Sequence, residues 1–476
     1  MAILLGIDTG GTFTDAVLWD EQSASVLAKA KALTTKTDLS IGIGEAIQAV
    51  LQQGVASPGD VRLVSLSTTL ATNALVEGHG GRAGLVFIGF DDSDVTRAGL
   101  AEALASDPLI RVTGGHDTGG QEFASLDLET LEAQARAAAP TLDAFAVVSR
   151  FATRNPAHER AARDALSRAT GLPVTCGHEL SDALNGPKRA LTALLNARLI
   201  GMIADLIAAA RAVCDGAGLD APMMLVKGDG ALVSADFAAE RPIETILSGP
   251  AASLVGATAL TGLRDAIVSD IGGTTTDIAL LSDGLPRLSP RGATVGGFET
   301  MVAAVDMATH GLGGDSEVTL RINGLHTEVV LGPQKAMPLS LLVHTHPDLL
   351  ETLEGQSRRD VPHDQDGRVA LATGREPRVP LTGIEEGVFA ALRAGPQPLE
   401  TLCPTRQKLA AMDRLRKRGL VALATFTPTD AAHVLGTHGV WSTPAAHLGA
   451  GLFARKRDGK GERVAQDETG FAQMVL

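Results

Sequence analysis

The sequence predicts an α/β fold assembled from two lobes that share one duplicated unit. Three observations carry this prediction. Residues 8–15 read DTGGTFTD and residues 270–277 read DIGGTTTD, a shared D-x-G-G-T-x-T-D. Each copy lies between two apolar runs, Ile3–Ile7 and Ala16–Trp19 for the first, Ala266–Val268 and Ile278–Leu281 for the second. Strand, Gly-Gly turn and strand together are the pattern of a β-hairpin. Between the copies, strand-like and helix-like runs alternate, as an α/β chain requires.

Taken in order, Leu63–Leu66, Ala83–Phe90 and Phe145–Val148 are apolar runs of strand length. Residues 126–139 and 155–169 carry helical spacing, the second opened by Asn155 as cap and Pro156 at the first helical position. Residues 188–214 form a long amphipathic helix pattern, so the lobe boundary is expected near 180, giving lobes 1–180 and 181–476. Residues 297–309 read as another helix, ahead of Gly311-Leu312-Gly313-Gly314-Asp315-Ser316. From 381 to 422 the order is helix, turn, helix, strand. This marks a small, mostly helical insert at about 340–425, either winged-helix-like or an ordinary helical addition. Its Arg414, Arg416, Lys417 and Arg418 read as a solvated helix face. Residues 454–470 read as polar loop, and FAQMVL carries no clear element.

Composition narrows the function. The chain has 476 residues, 45% hydrophobic and 20% charged, enough for more than one core. A net charge of −14 argues against a nucleic-acid or anionic-membrane surface. With no Tyr and 3% aromatic residues the core must be aliphatic, and base-stacking platforms are not expected. Cys176, Cys214 and Cys403 stand far apart without a CxxC, which suits free thiols in a reducing cytoplasm. The first apolar run is too short for a signal peptide and lacks a basic flank, and no run of about 20 apolar residues is evident.

The two hairpins carry the chemistry. A Gly pair lets backbone N–H groups approach an anion with no Cβ in the way, and Thr hydroxyls add donors. An Asp at a strand end would repel phosphate, so its natural work is to hold Mg²⁺ or metal-bound water against it. Two such hairpins would clamp a triphosphate, with Asp8 and Asp270 at the metal. Neither is a Walker A loop, since no Lys lies in them. Asp15 and Asp277 begin the return strands, where they either position a nucleophile or bond the turn. The Gly311–Gly314 cluster offers bare backbone for a nucleotide, or a helix C-cap. Ser248-Gly249-Pro250 opens a small-residue helix, and Thr68, Thr69 and Asn73 follow a strand. Each reads equally as site lining or as packing and capping. His116, in a Gly-rich loop, is a weaker candidate for substrate contact, and His344 with His346 reads as solvated loop rather than a metal pair.

GIDTGGTFTDAV, STTLATNAL, GGHD, NPAHE, LSGPAASLVGA and SDIGGTTTDIALL, with TPTDAAHVLG later, resemble the hydantoinase A / 5-oxoprolinase family, which also includes the acetone carboxylase beta subunit. The resemblance runs from residue 3 to about 316, some two-thirds of the chain. It implies an actin-like, sugar-kinase-type ATPase fold with two ribonuclease-H-like lobes. It also implies ATP and Mg²⁺, and opening of a small cyclic amide or imide through a phosphorylated intermediate. A carboxylase subunit and a small-molecule kinase are the other activities such a chain would carry. By motif match, Asp8, Gly10, Gly11, Thr12 and Thr14 fall in the first phosphate segment. Asp270, Gly272, Gly273, Thr274 and Thr275 fall in the second, and Gly311, Gly313 and Gly314 match the later glycine cluster. Asp315 stands where the family has glycine, and the family's later proline- and cysteine-containing stretch is replaced by residues 340–425. A partner subunit of hydantoinase B or carboxylase type is implied, and homo-oligomerisation stays open.

Overall fold

The computed structural model describes residues 2–476 except 12, 36, 37, 79 and 378. The chain forms a mixed α/β protein that divides into two compact units. The first comprises Met1–Val268 and Ile278–Ala308, the second Ser269–Asp277 and Thr309–Leu476.

The first unit contains two sheets. Its strands and helices in order are β1 (Ile3–Thr9), β2 (Phe13–Asp20), β3 (Ser25–Leu33), α1 (Leu39–Leu51), β4 (Val61–Thr68), α2 (Leu70–Glu77), β5 (Ala83–Ile88), α3 (Asp92–Val95), α4 (Leu100–Leu104), β6 (Leu109–Val112), α5 (Leu128–Ala138), β7 (Ala144–Ser149), α6 (Ala157–Thr170), β8 (Val174–Cys176), α7 (Gly177–Leu180), α8 (Gly186–Gly216), β9 (Met223–Val226), β10 (Leu232–Ser234), α9 (Ala235–Glu240) and α10 (Ser248–Thr261). The larger sheet has the order β10-β9-β4-β1-β2-β3, with β1–β2 and β2–β3 antiparallel and β1–β4 and β4–β9 parallel. Along β1 and β2 burial alternates, so Ile3, Leu5, Ile7, Ala16 and Leu18 reach the core while their neighbours stay partly exposed.

The second sheet, β6-β5-β7-β8, is parallel throughout. Every residue of β5 and β7 is buried, as expected of a parallel sheet covered on both faces. Val86, Ile88, Phe145 and Val147 pack with Leu131 of α5 and Leu166 of α6. Leu85, Phe87, Ala146 and Val148 join the large core that contains Leu191, Leu194 and Leu195 of α8. Contrary to the sequence reading, α8 is long and apolar enough to span a membrane by length and composition. Over half of that stretch is buried inside the protein, against β7 and α1. This packing also explains why the unit does not end near 180: α8 belongs to the core of the first unit.

The hairpin around residues 270–277 consists of β11 (Ala266–Ile271) and β12 (Thr276–Ser282). The helix expected over 297–309 is absent; short strands at Phe298–Glu299 and Met307–His310 occupy that stretch. Its apolar residues, Val302, Ala304 and Val305, are buried without a helix.

In the second unit, strands Ser316–Asn323 and His326–Lys335 pair antiparallel. A four-stranded sheet follows the order 337–338, 421–425, 369–372, 397–398. The insert is mostly helical, and helices Gly383–Arg393 and Arg406–Lys417 enclose a core of Val388, Phe389, Leu392, Met412, Leu415 and Val421. Its basic cluster is not a free solvated face. Arg414 pairs with Glu385 at 2.6 Å and Arg416 with Glu317 at 2.8 Å, and Arg418 donates to the Val379 carbonyl. His344 lies in helix Leu339–Thr345, not in a loop. The end of the chain, expected without an element, is helix Glu468–Val475, whose Phe471 packs with Phe426 and Phe453.

Candidate functional site

The first turn joins β1 to β2. Asp8 pairs opposite Asp15 and Thr9 opposite Thr14, and Gly10 N–H donates to the Phe13 carbonyl at 3.0 Å. A Cβ on Gly10 would stand 3.1 Å from that carbonyl oxygen, so the turn is tight there. Asp8 sits half-buried at the end of β1, where Ser67 Oγ, at the end of neighbouring β4, donates to its Oδ1 at 2.6 Å. The bare backbone of Gly249 lies beside it; a Cβ there would come within 3.9 Å of Asp8 Oδ1. Gly249 is placed by Ser248, whose hydroxyl donates to the Thr68 carbonyl and accepts from Thr68 N–H. Thr68 and Ser248 therefore lock the start of α10 against the end of β4.

A cavity of about 200 Å³ opens at this turn, lined in part by Thr9, Gly10, Gly11, Thr69 and Asn73. Thr9 is 3% exposed, and its hydroxyl has no hydrogen-bond partner among the described residues. A buried orphan hydroxyl next to a glycine turn fits an anion that would accept from it. Gly11 and Asn73 face each other closely enough that a Cβ on Gly11 would meet Asn73 Nδ2 at 3.7 Å.

Other expected residues fall differently. Thr12 lies outside the described residues. Thr14 is fully buried with its hydroxyl 3.0 Å from that of Thr34, so it holds β2 to the loop after β3 instead of facing the turn. Strand alternation explains this, because Thr14 shares a face with Ala16 and Leu18. Asp15 pairs with Lys31 of β3 at 3.1 Å. His116 is 2% exposed; desolvation, with His158 adjacent, holds its pKa below the ordinary value.

The second turn repeats the first. Gly272 N–H donates to the Thr275 carbonyl at 2.8 Å, the same position in the motif as Gly10 and Phe13. In both turns, then, the first glycine's N–H closes the turn, and outward donors must come from the residues at the tip. Here the tip rests on the later glycine cluster. Gly314 N–H donates to the Gly272 carbonyl at 3.0 Å and Asp315 N–H to the Gly273 carbonyl at 2.7 Å. A Cβ on Gly313 would lie 2.6 Å from the Gly273 oxygen, and one on Gly314 would lie 2.4 Å from Thr429 Oγ1. Gly313 and Gly314 thus back the turn, whereas Gly311 is open, with nothing within 4 Å of a Cβ. Asp315 accepts from Thr274 Oγ1 at 3.1 Å and pairs with Lys335 at 2.9 Å, which accounts for an acidic residue at that position. Asp277 accepts from Thr309 Oγ1 at 2.6 Å, and Asp270 is exposed at the end of β11.

Ser67, Thr9, Lys335 and Thr429 are the residues that motif reading missed. Thr429 had a signal: Thr427 and Asp430 form a capping box, and the fully buried Asp430 accepts from the N–H groups of Leu339 and Ser340.

Two family models match the chain, the hydantoinase/oxoprolinase N-terminal region over residues 4–170 and hydantoinase/oxoprolinase over residues 189–437. Caprolactamase subunit alpha of Pseudomonas jessenii is 30% identical over 360 residues, covering 70% of this chain and 50% of that protein. Acetophenone carboxylase gamma subunit of Aromatoleum aromaticum is 27% identical over 367 residues, covering 70% and 49%. The crystal structure of the ATP-dependent caprolactamase aligns with a TM-score of 0.56 at 28% identity, over 70% of this chain and 51% of that one. Nucleotide-free acetone carboxylase aligns with a TM-score of 0.58 at 22% identity, a likeness of fold, over 70% and 51%. The chain spans about half the length of these relatives.

Proposed function

Because the chain belongs to the hydantoinase/oxoprolinase family, we propose that it uses ATP to open a small cyclic amide or imide of the hydantoin, 5-oxoproline or lactam class. One observation carries the reading: the same Asp-then-Gly-Gly turn, closed by the same hydrogen bond, occurs at both ends of a long insertion. The proposal includes an actin-like fold with ribonuclease-H-like lobes that bind ATP. The order of β3, β2, β1 and β4 in the first unit supports it.

In this reading Gly11 and Thr9 donate to phosphate oxygens at the first turn, and Gly273, Thr274 and Thr275 at the second, while Gly10 and Gly272 close the turns. Asp8, oriented by Ser67, and Asp270 hold Mg²⁺, which neutralises phosphate charge when bound. The amide oxygen attacks the γ-phosphorus, ADP leaves, and the resulting O-phosphorylated imidate is attacked at carbon by water. The ring C–N bond of that adduct breaks, the nitrogen leaving as a protonated amine, and the acyl phosphate left behind is hydrolysed by a second water to carboxylate and inorganic phosphate, so one ATP is hydrolysed per ring. Asp15 and Asp277 act structurally, through Lys31 and Thr309.

A second reading, an ATP-binding subunit of a hydantoinase or carboxylase that acts only with a partner, is favoured by the half-length match to proteins that are themselves named as subunits. The test is release of ADP and phosphate from Mg·ATP, alone and with hydantoin, 5-oxoproline or caprolactam. Stoichiometric release raised by one of these, and reduced at least about 100-fold in Asp270→Ala, is the expected outcome. ATP binding without stimulation by any of them would move the assignment to the partner-dependent subunit.

A further inference from the structure

The parallel sheet of the first unit has a feature that the triphosphate reading leaves unused. After β5 the chain crosses to β6 on one side, while β7 lies on the other side of β5. The loops leaving β5 and β7 therefore diverge, and in open parallel sheets such a switch point leaves a ligand-sized crevice beyond the carboxyl ends of the strands. A cavity of about 830 Å³ lies there, lined by Phe90 after β5, by Arg150, Phe151 and Thr153 after β7, and by the first turn of α8.

Its walls hold polar groups without an intramolecular purpose. Arg189 is 1% exposed; its terminal nitrogens donate to the Ala183 and Ser149 carbonyls, yet its Nε has no hydrogen-bond partner among the described residues. Thr153 Oγ1 is likewise buried without a partner among them. Arg150 is exposed and makes no ion pair among the described residues, its guanidinium lying 5.7 Å from the Phe151 ring centroid. The other charges on the rim are already matched: Asp94 by Arg97, and Glu299 by Lys188 and Arg291. Asp91 caps α3. The 31-residue α8 starts at the cavity, capped by Asn185, so its positive end adds to the field. Burial pulls the Arg189 guanidinium below its ordinary pKa, with Glu159 acting the other way. Phe151, Ala98 and Asn185, all on the wall, hold left-handed φ of 55°, 57° and 123°. Such strain persists where the surroundings over-determine it.

We propose that this cavity binds a small organic monocarboxylate, its carboxylate on Arg150 and the amino end of α8, its apolar body against Phe90 and Phe151. A guanidinium fork matches a carboxylate in two parallel hydrogen bonds, and the aromatic walls suit an alkyl chain better than a bare inorganic anion.

The test is calorimetric titration of the 476-residue chain with hexanoate, hexanamide and inorganic phosphate. Hexanoate should bind, with hexanamide and phosphate each at least about 10-fold weaker. Arg150→Gln should weaken hexanoate by about 10-fold or more, and Thr153→Val should weaken it in the same direction. Asp8→Asn should leave hexanoate affinity within about 2-fold, so failure of the triphosphate reading does not touch this one. Equal binding of hexanoate and hexanamide, tighter binding of phosphate, no effect of Arg150→Gln, an equal loss in Asp8→Asn, or no binding at all would each overturn the proposal.

Discussion

Gly313 has no room for a side chain: a Cβ would stand 2.6 Å from one carbonyl oxygen of the second turn and 2.7 Å from another. Because both are backbone, the neighbour cannot swing away, and Gly313→Ala should cost about 1–3 kcal/mol. Gly311→Ala, with open space around it, should change stability by less than about 0.5 kcal/mol. Urea midpoints of the two variants check this pair. Ser67 offers a functional counterpart. Ser67→Ala removes the 2.6 Å donor that orients Asp8, and should lower ATP turnover about 10- to 100-fold while costing about 1 kcal/mol of stability. Steady-state phosphate release beside a melting curve separates the two effects. The two turns at Gly10 and Gly272 were legible because the motif occurs twice. Ser67 was not, because its importance comes from the parallel pairing of β4 with β1, which places it opposite Asp8. Thr14 was misassigned although the information was present: counting strand parity from Ala16 and Leu18 puts it inside.

Among elements, strongly patterned segments were read correctly and weakly patterned ones were not. Helix α6 begins at Ala157, with the Asn155 side chain accepting from Ala157 N–H at 3.1 Å, close to the boundary its Asn-Pro signal gives. Residues 297–309 carry apolar residues at mixed spacing, and such a short run suits strand and helix equally. The helix pair of the insert was legible from its caps and spacing, but the fate of its arginines was not, since their acidic partners lie far along the chain. Glu385 is the clearest case. Its carboxylate closes the capping box of Gly383–Arg393 with the Thr382 N–H and meets Arg414, which together hold its pKa down at about 2. A carboxylate depressed in the folded state stabilises above its unfolded pKa, and loses that contribution as pH falls through about 4.5 toward 2. Glu385→Gln should therefore be less stable than wild type at pH 6, with the gap narrowing steadily between pH 5 and pH 3. Denaturant midpoints across that range check it; a pH-independent gap would assign the loss to the cap geometry alone.

At the scale of the molecule, the two units each carry their own cores, centred in the first on Leu5, Leu66 and Leu194 and in the second on Phe426, Leu415 and Leu339. Separate cores predict two urea transitions by tryptophan fluorescence and circular dichroism, with Gly313→Ala moving only the one that belongs to the second unit. Coincident single transitions by both probes would show the units to be one cooperative block. The seam between the two units was not legible in the repeat, because contacts and not sequence order decide it: residues 269–277 belong to the second unit while the chain on either side belongs to the first. That interleaving has a consequence for biosynthesis. Gly313, Gly314 and Thr429 are made after the second Gly-Gly tip, which waits without its full backing until residue 429 has emerged. A nascent chain halted before Thr429 would thus present this turn without part of its backing.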